Sequence, residues 1–109
     1  MDSVCLITSE NDFEEIVSGE KPVVLLCMQC NEQFPRQLRI LEAFAGRYGG
    51  QFKVGLMTGG LPEHFRKTMN ISGTPTFLLM KNGKEVNRML GITDQEALVG
   101  FAFSCPKEH

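Results

Sequence analysis

The chain has 109 residues, of which 42% are hydrophobic and 22% charged, with a formal net charge of −2. These proportions are typical of a folded globular protein and exclude a disordered chain, and the length predicts a single domain over residues 1–109. Both charge signs are spread along the chain. The balance therefore indicates neither a nucleic-acid partner nor attraction to an anionic membrane.

The N-terminal residues contain no basic segment followed by a long apolar core, so no signal peptide is predicted. No window reaches the roughly 18 apolar residues that a membrane-spanning helix needs. We therefore expect a cytoplasmic protein whose cysteines are kept reduced.

The first predicted elements are a short strand and a helix. Residues 4–8 are β-prone, and Ser9 can cap a helix whose first turn carries acidic residues. Gly19 is expected to stop this helix. Its apolar face consists of Phe13, Ile16 and Val17.

The stretch from Pro22 to Tyr48 is predicted to be the centre of the fold. Residues 22–28 (Pro-Val-Val-Leu-Leu-Cys-Met) form an uninterrupted apolar run, which is typical of a strand buried on both faces. Residues 32–48 have helical periodicity and end at Gly49-Gly50.

The second half of the chain is predicted to continue the alternation of strands and helices. Residues 51–57 alternate as a strand, a short helix is expected to begin at Pro62, and Pro75 follows a sharp extended corner. Residues 76–81 form a second apolar strand.

Asn82-Gly83 is a strong hairpin signal, and residues 84–90 are predicted to return antiparallel from it. Thr93 is expected to cap a last helix. The predicted order is β-α-β-α-β-α-β-β-α, an α/β protein with a central mixed sheet and helices on both faces.

Four cysteines stand at positions 5, 27, 30 and 105, and their irregular spacing does not suggest a disulfide framework. Only one close pair exists, so no metal site is predicted, and nothing in the sequence implies a cofactor. Cys5 is expected to lie in the first strand with its side chain in the protein core. Cys27 and Cys30 fall where a buried strand leads into a helix, which makes them the candidates for chemistry.

This order of elements, together with several short motifs, resembles the thioredoxin family from about Phe13 to Phe103. The motifs are residues 21–24 (Lys-Pro-Val-Val), 40–45 (Ile-Leu-Glu-Ala-Phe-Ala), 71–77 (Ile-Ser-Gly-Thr-Pro-Thr-Phe), 81–84 (Lys-Asn-Gly-Lys) and Gly91. The resemblance implies a thioredoxin fold, a cis peptide bond at Pro75, and a role for Thr74 and Pro75 in holding substrate backbone. It also implies a protein or peptide partner. We expect a monomer or weak dimer.

The cysteine pair departs from that family, whose members carry Trp-Cys-x-x-Cys with the first cysteine at a helix N-terminus. This chain has no tryptophan, and its pair arrives early. The alignment with a single gap, which we favour, leaves Cys27 inside the strand. The alternative ends the strand at Leu26 and begins the helix at Cys27, and it is supported by Pro35, five residues after Cys30 as in the family.

Geometry separates these two alignments. Residues three apart on a strand lie about 10 Å apart, whereas a disulfide needs Cα atoms within about 7 Å. Cys27 and Cys30 can therefore pair only if the chain turns at Cys27. In addition, the family's buried acid, which helps to move protons, falls on Leu26.

Two functions remain open at this point. The first is a thiol–disulfide exchange protein of the protein disulfide reductase type, with Cys27 as the nucleophile and Cys30 as the resolving thiol. The second is a redox-inactive binding or adaptor module that docks a polypeptide at the Pro75 loop, since several branches of the family have lost the cysteine pair. A variant that uses Cys30 alone is a third.

Overall fold

The structure is a computed structural model, and it describes residues 4–29, 32–58, 67, 69–70 and 75–104. Within these residues a five-stranded sheet is formed by β1 (Cys5–Ile7), β2 (Val23–Cys27), β3 (Lys53–Met57), β4 (Thr76–Lys81) and β5 (Lys84–Leu90). The strand order is β1-β3-β2-β4-β5. The first three are parallel, and β4 is antiparallel to both β2 and β5. The predicted mixed sheet is confirmed.

Helices cover both faces of the sheet. Helix α1 (Glu10–Val17) packs on one face, whereas α2 (Phe34–Tyr48) and α3 (Gln95–Ala102) pack on the other. None of the helices in the described part of the chain is long and apolar enough to cross a bilayer. The helix predicted from Pro62 lies outside the described residues, apart from isolated positions at its end.

Strand β2 lies at the centre, and its five residues are all buried. Successive side chains point to opposite faces of a sheet. Val24 and Leu26 accordingly join the cluster under α2 and α3, while Leu25 and Cys27 join the cluster under α1. The uninterrupted apolar run was the signal for this double burial.

Two helix starts differ from the prediction by one or two residues. Helix α2 begins at Phe34 rather than at position 32, with Pro35 in its first turn, where a missing N–H is tolerated. Helix α3 is capped by Asp94, whose side chain accepts from the Ala97 N–H at 2.8 Å, and not by Thr93. The predicted cap at Ser9 is confirmed, since its hydroxyl accepts from the Asp12 N–H at 3.1 Å.

The hairpin between β4 and β5 is also confirmed. Asn82 and Gly83 have φ values of 55° and 77°, the two positive values that a tight hairpin of this kind requires. The expectation that Cys5 belongs to the core is wrong, because β1 is a three-residue edge strand and Cys5 is exposed on it.

Gly55 in β3 lets α1 approach the sheet closely. A Cβ atom at this position would lie 2.7 Å from Cδ2 of Leu25, 2.9 Å from Cδ1 of Ile7 and 3.0 Å from Cδ1 of Ile16. The first two contacts are shorter than real Cβ contacts and the third is tight, so the buried ends of these side chains would have to shift. Glycine fits the present packing of helix on strand without such a shift.

We predict that Gly55→Ala lowers the free energy of unfolding by about 1–3 kcal/mol, because the added methyl overpacks the core. Urea unfolding followed by circular dichroism measures this. The matched control is Gly100→Ala on the exposed side of α3, where a Cβ meets nothing within 4 Å. That variant should be as stable as the wild type or more so, and equal stability of all three proteins would contradict the packing account.

Candidate functional site

The sequence-predicted site residues that the structure describes lie at one end of the sheet. Cys27, the last residue of β2, pairs with Thr76 at the start of β4, and Thr76 pairs with Leu90 at the end of β5. Pro75 immediately precedes this row. The row therefore brings Cys27 and the Pro75 segment to the same sheet end.

Cys27 is sealed inside the protein. Its side chain is 3% exposed and belongs to the cluster under α1, with Sγ 3.9 Å from Sδ of Met57. Its neighbours Leu26 and Met28 belong to the opposite cluster, under α2. The Cys27 thiol therefore lies on the sheet face away from α2, the helix whose N-terminus would have to activate it.

The electrostatics of Cys27 agree with this position. Burial raises the pKa of its thiol to about 12, with Arg88 acting in the opposite direction and Glu85 adding to the rise. The thiolate, rather than the thiol, is the form that attacks a disulfide. In this conformation Cys27 is thus a neutral core residue at ordinary pH.

These observations confirm the alignment that keeps Cys27 in the strand. The alternative, with the helix beginning at Cys27, is not adopted, since β2 ends at Cys27 and α2 begins at Phe34. Cys30 lies outside the described residues, so the predicted pair with Cys27 stays a prediction. The cysteines that are described, Cys5 and Cys27, are both free.

Leu26 occupies a wholly apolar position. It is fully buried and pairs with Leu56 on β3 and Phe77 on β4. No proton-relaying side chain stands at this point of β2.

The Pro75 side of the site is open to solvent at two apolar residues. Pro75 itself is buried, and its carbonyl accepts from the Gly91 N–H at 2.8 Å. Leu90 and Ile92, on either side of Gly91, are 65% and 57% exposed. Thr74 lies outside the described residues, and so therefore does the predicted cis bond between Thr74 and Pro75.

Gln37 ties α2 to this region, and the sequence analysis missed it. Its amide is 1% exposed; Nε2 donates to the Thr93 carbonyl and Oε1 accepts from the Thr93 N–H, both at 3.1 Å. Gln37 precedes Leu41 and Phe44 on the buried stripe of α2, and a polar residue on such a stripe was the available signal.

Arg88 on β5 was missed as well. Its guanidinium binds the carboxylate of Glu85 and also donates to the carbonyls of Met69 and Asn70. An arginine in a polar return strand gives no sequence signal for such contacts. Within the described residues, no group of three or more side chains could hold a metal ion.

A family model described as thioredoxin matches residues 4–103. The chain belongs to the thioredoxin family. It is 32% identical over 98 residues to the mitochondrial thioredoxin of Bos taurus, covering 83% of this chain and 55% of that protein. It is 24% identical over 95 residues to the thioredoxin of Alicyclobacillus acidocaldarius, covering 83% and 87%. The chain thus spans about half the length of its bovine relative.

Solved structures agree with the fold. The thioredoxin of Malassezia sympodialis superposes with a TM-score of 0.80 at 20% identity, over 94% of this chain and 90% of that one. A mutant thioredoxin of Halobacterium salinarum gives 0.84 at 16% identity, over 99% and 95%. The predicted thioredoxin fold is confirmed.

Membership of the thioredoxin family is consistent with thiol–disulfide chemistry, but the geometry of β2 does not present Cys27 for it. The thioredoxin fold is kept around the central strand and the hairpin, while the thiol at position 27 is used in packing. Among the described residues at the same sheet end, Leu90 and Ile92 expose apolar surface beside Pro75.

We predict that native protein alkylated with iodoacetamide at about pH 8 is modified at Cys5 and not at Cys27. A thiol of pKa about 12 is ionised there in about one molecule in ten thousand, and burial also blocks the reagent. Peptide mass spectrometry measures the modification, and the same reaction in urea should label both residues. Rapid labelling of Cys27 in the folded protein would contradict its sealed position.

Proposed function

We propose that this member of the thioredoxin family is a redox-inactive module that docks an extended polypeptide at the Pro75 end of its sheet. The observation that carries the proposal is the exposed apolar pair Leu90 and Ile92, which flank the Gly91 N–H that binds the Pro75 carbonyl. Thr74 and Pro75 are the proposed contacts to the backbone of the partner.

The location of the apolar pair supports this choice. The other large apolar side chains that the described residues expose are Leu6 and Phe103. Leu6 lies on β1, at the opposite edge of the sheet. Phe103 packs edge to face against Tyr48 and Phe52, at 5.4 and 5.2 Å between ring centroids. Leu90 and Ile92, by contrast, lie beside the Pro75 segment.

The docking surface has a rigid frame. Hydrogen bonds hold the loop that carries Ile92 on both sides. Before it, the Gly91 N–H donates to the Pro75 carbonyl; after it, the backbone of Thr93 pairs with the side-chain amide of Gln37. A surface fixed in this way loses little conformational entropy when a partner binds. Leucine and isoleucine can then contribute by removing apolar area from water, at about 25 cal/mol per Å².

A protein or peptide is the proposed partner, because thioredoxins act on protein substrates. We propose further that residues 1–109 act as one domain, as a monomer or weak dimer, in the cytoplasm. Neither a nucleic acid nor a membrane forms part of this proposal.

Thiol–disulfide exchange is the second candidate, and family membership together with the Cys-x-x-Cys spacing favours it. In this reaction the Cys27 thiolate attacks a partner disulfide, which releases one partner thiolate and leaves a mixed disulfide. Cys30 then displaces the second partner thiol and forms a bond to Cys27, which an external dithiol such as dithiothreitol must reduce. The end of β2 would have to open first, because Cys27 is buried and neutral.

The docking proposal predicts binding of fluorescein-labelled, S-carboxymethylated insulin B chain, an unfolded polypeptide that cannot exchange disulfides. Ile92→Asp is expected to weaken this binding about tenfold, because it places a charge in an apolar contact. Fluorescence anisotropy measures the dissociation constants.

Leu6→Asp is the matched control, since Leu6 is exposed to a similar degree at the far edge of the sheet. It should bind the B chain as the wild type does. Absence of binding by the wild type, or equal loss in both variants, would overturn docking at this surface.

Reduction of intact insulin by dithiothreitol separates the two candidate functions. A redox-inactive module should not accelerate the appearance of turbidity over dithiothreitol alone, because its buried thiol supplies no thiolate. Acceleration that Cys27→Ser abolishes would establish exchange by the pair instead. Acceleration lost only in Cys30→Ser would point to a single-thiol reaction.

A further inference from the structure

Arg88 on β5 and Gly91, the residue directly after β5, hold the chain on either side of residues 71–74. Before that segment, the Arg88 guanidinium donates from Nη2 to the Met69 carbonyl at 2.8 Å and from Nη1 to the Asn70 carbonyl at 2.7 Å. After it, the Gly91 N–H donates to the Pro75 carbonyl at 2.8 Å. Arg88 and Gly91, which make these hydrogen bonds, are three residues apart in the sequence.

We propose that Arg88 is a positioning residue of the docking surface: it fixes Asn70 on β5 and thereby sets where Pro75 lies relative to Leu90 and Ile92. This inference rests on the proposed function, because it concerns the same surface. Only four residues separate Asn70 from Pro75, so the anchor at Asn70 limits the positions that Pro75 can take.

The planar fork of arginine suits this task. Nε and Nη2 bind the two carboxylate oxygens of Glu85 at 2.7 and 2.8 Å, which holds the guanidinium in one orientation. The remaining N–H directions then reach two successive carbonyls. Lysine carries the same charge but lacks the fork, so it cannot hold the carboxylate and both carbonyls together.

The backbone that Arg88 grips is a sharp turn. Asn70 has a positive φ of 58°, and its N–H donates to the Lys67 carbonyl at 3.0 Å. Carbonyls at such a chain reversal lack partners in regular structure. The Arg88 side chain is 22% exposed, and its guanidinium supplies charge-assisted hydrogen bonds to the Met69 and Asn70 carbonyls.

The first test is amide hydrogen exchange without any peptide, comparing wild type with Arg88→Met, which keeps the alkyl stem. We expect protection of the Gly91 amide to fall about tenfold, because the Pro75 carbonyl is no longer held against it. The amides of β2 and β4 should keep their protection. Unchanged protection at Gly91, or an equal fall throughout the sheet, would overturn the positioning role.

The second test is binding of the carboxymethylated insulin B chain. Arg88→Met should bind about tenfold more weakly than wild type, whereas Arg39→Met, at an exposed arginine of α2, should bind equally. Arg88→Lys should behave like Arg88→Met, and full recovery by lysine would overturn the assignment to the fork. If the wild type does not bind the B chain, the docking function fails, while Gly91 exchange still decides whether Arg88 positions Pro75.

Discussion

The burial of β2 on both faces is the constraint on which the rest of the structure depends. Five consecutive residues with almost no exposure require one layer of helix on each side of the sheet. α1 fills one layer, and α2 with α3 fills the other. The same burial determines the state of Cys27, because a thiol in this strand is shielded from water and kept neutral.

Thiol chemistry in this fold depends on where the chain passes from strand to helix. A cysteine at a helix N-terminus meets unpaired N–H groups that stabilise its thiolate. Here β2 continues through Cys27 and α2 begins at Phe34, so that the thiol is turned toward α1 instead. The chain therefore keeps the thioredoxin fold, but its Cys27 thiol does not lie at the helix N-terminus that would stabilise a thiolate. The exposed apolar pair Leu90 and Ile92 at the same end of the sheet does not depend on that activation.

The sequence predicted the elements that follow from local patterns. The apolar run of β2, the Ser9 cap and the Asn82-Gly83 turn each have a physical cause within a few residues. Features that depend on distant partners were not accessible in this way. Arg88 binds carbonyls 18 and 19 residues away, and Gln37 binds Thr93 at a separation of 56.

The sequence-based predictions were also wrong about the exposure of a residue at the sheet edge and about the residue that caps the last helix. Cys5 belongs to a β-prone segment, but its exposure follows from the position of β1 at the sheet edge, which only the assembled topology gives. Thr93 and Asp94 are both good capping residues, and the choice of Asp94 follows the pairing of Thr93 with Gln37. The sequence placed the candidate site at Pro75 and the end of β2 as a prediction, and the buried environment of Cys27 required the structure.

The two described cysteines differ in their access to oxidants in solution. Peroxides and similar reagents attack thiolates that solvent can reach, whereas Cys27 is buried and neutral in this conformation. Cys5 is exposed on the edge strand, so of the two described cysteines it is the one that such reagents can reach. Sulfenylation there would mark the molecule chemically while leaving the central strand intact.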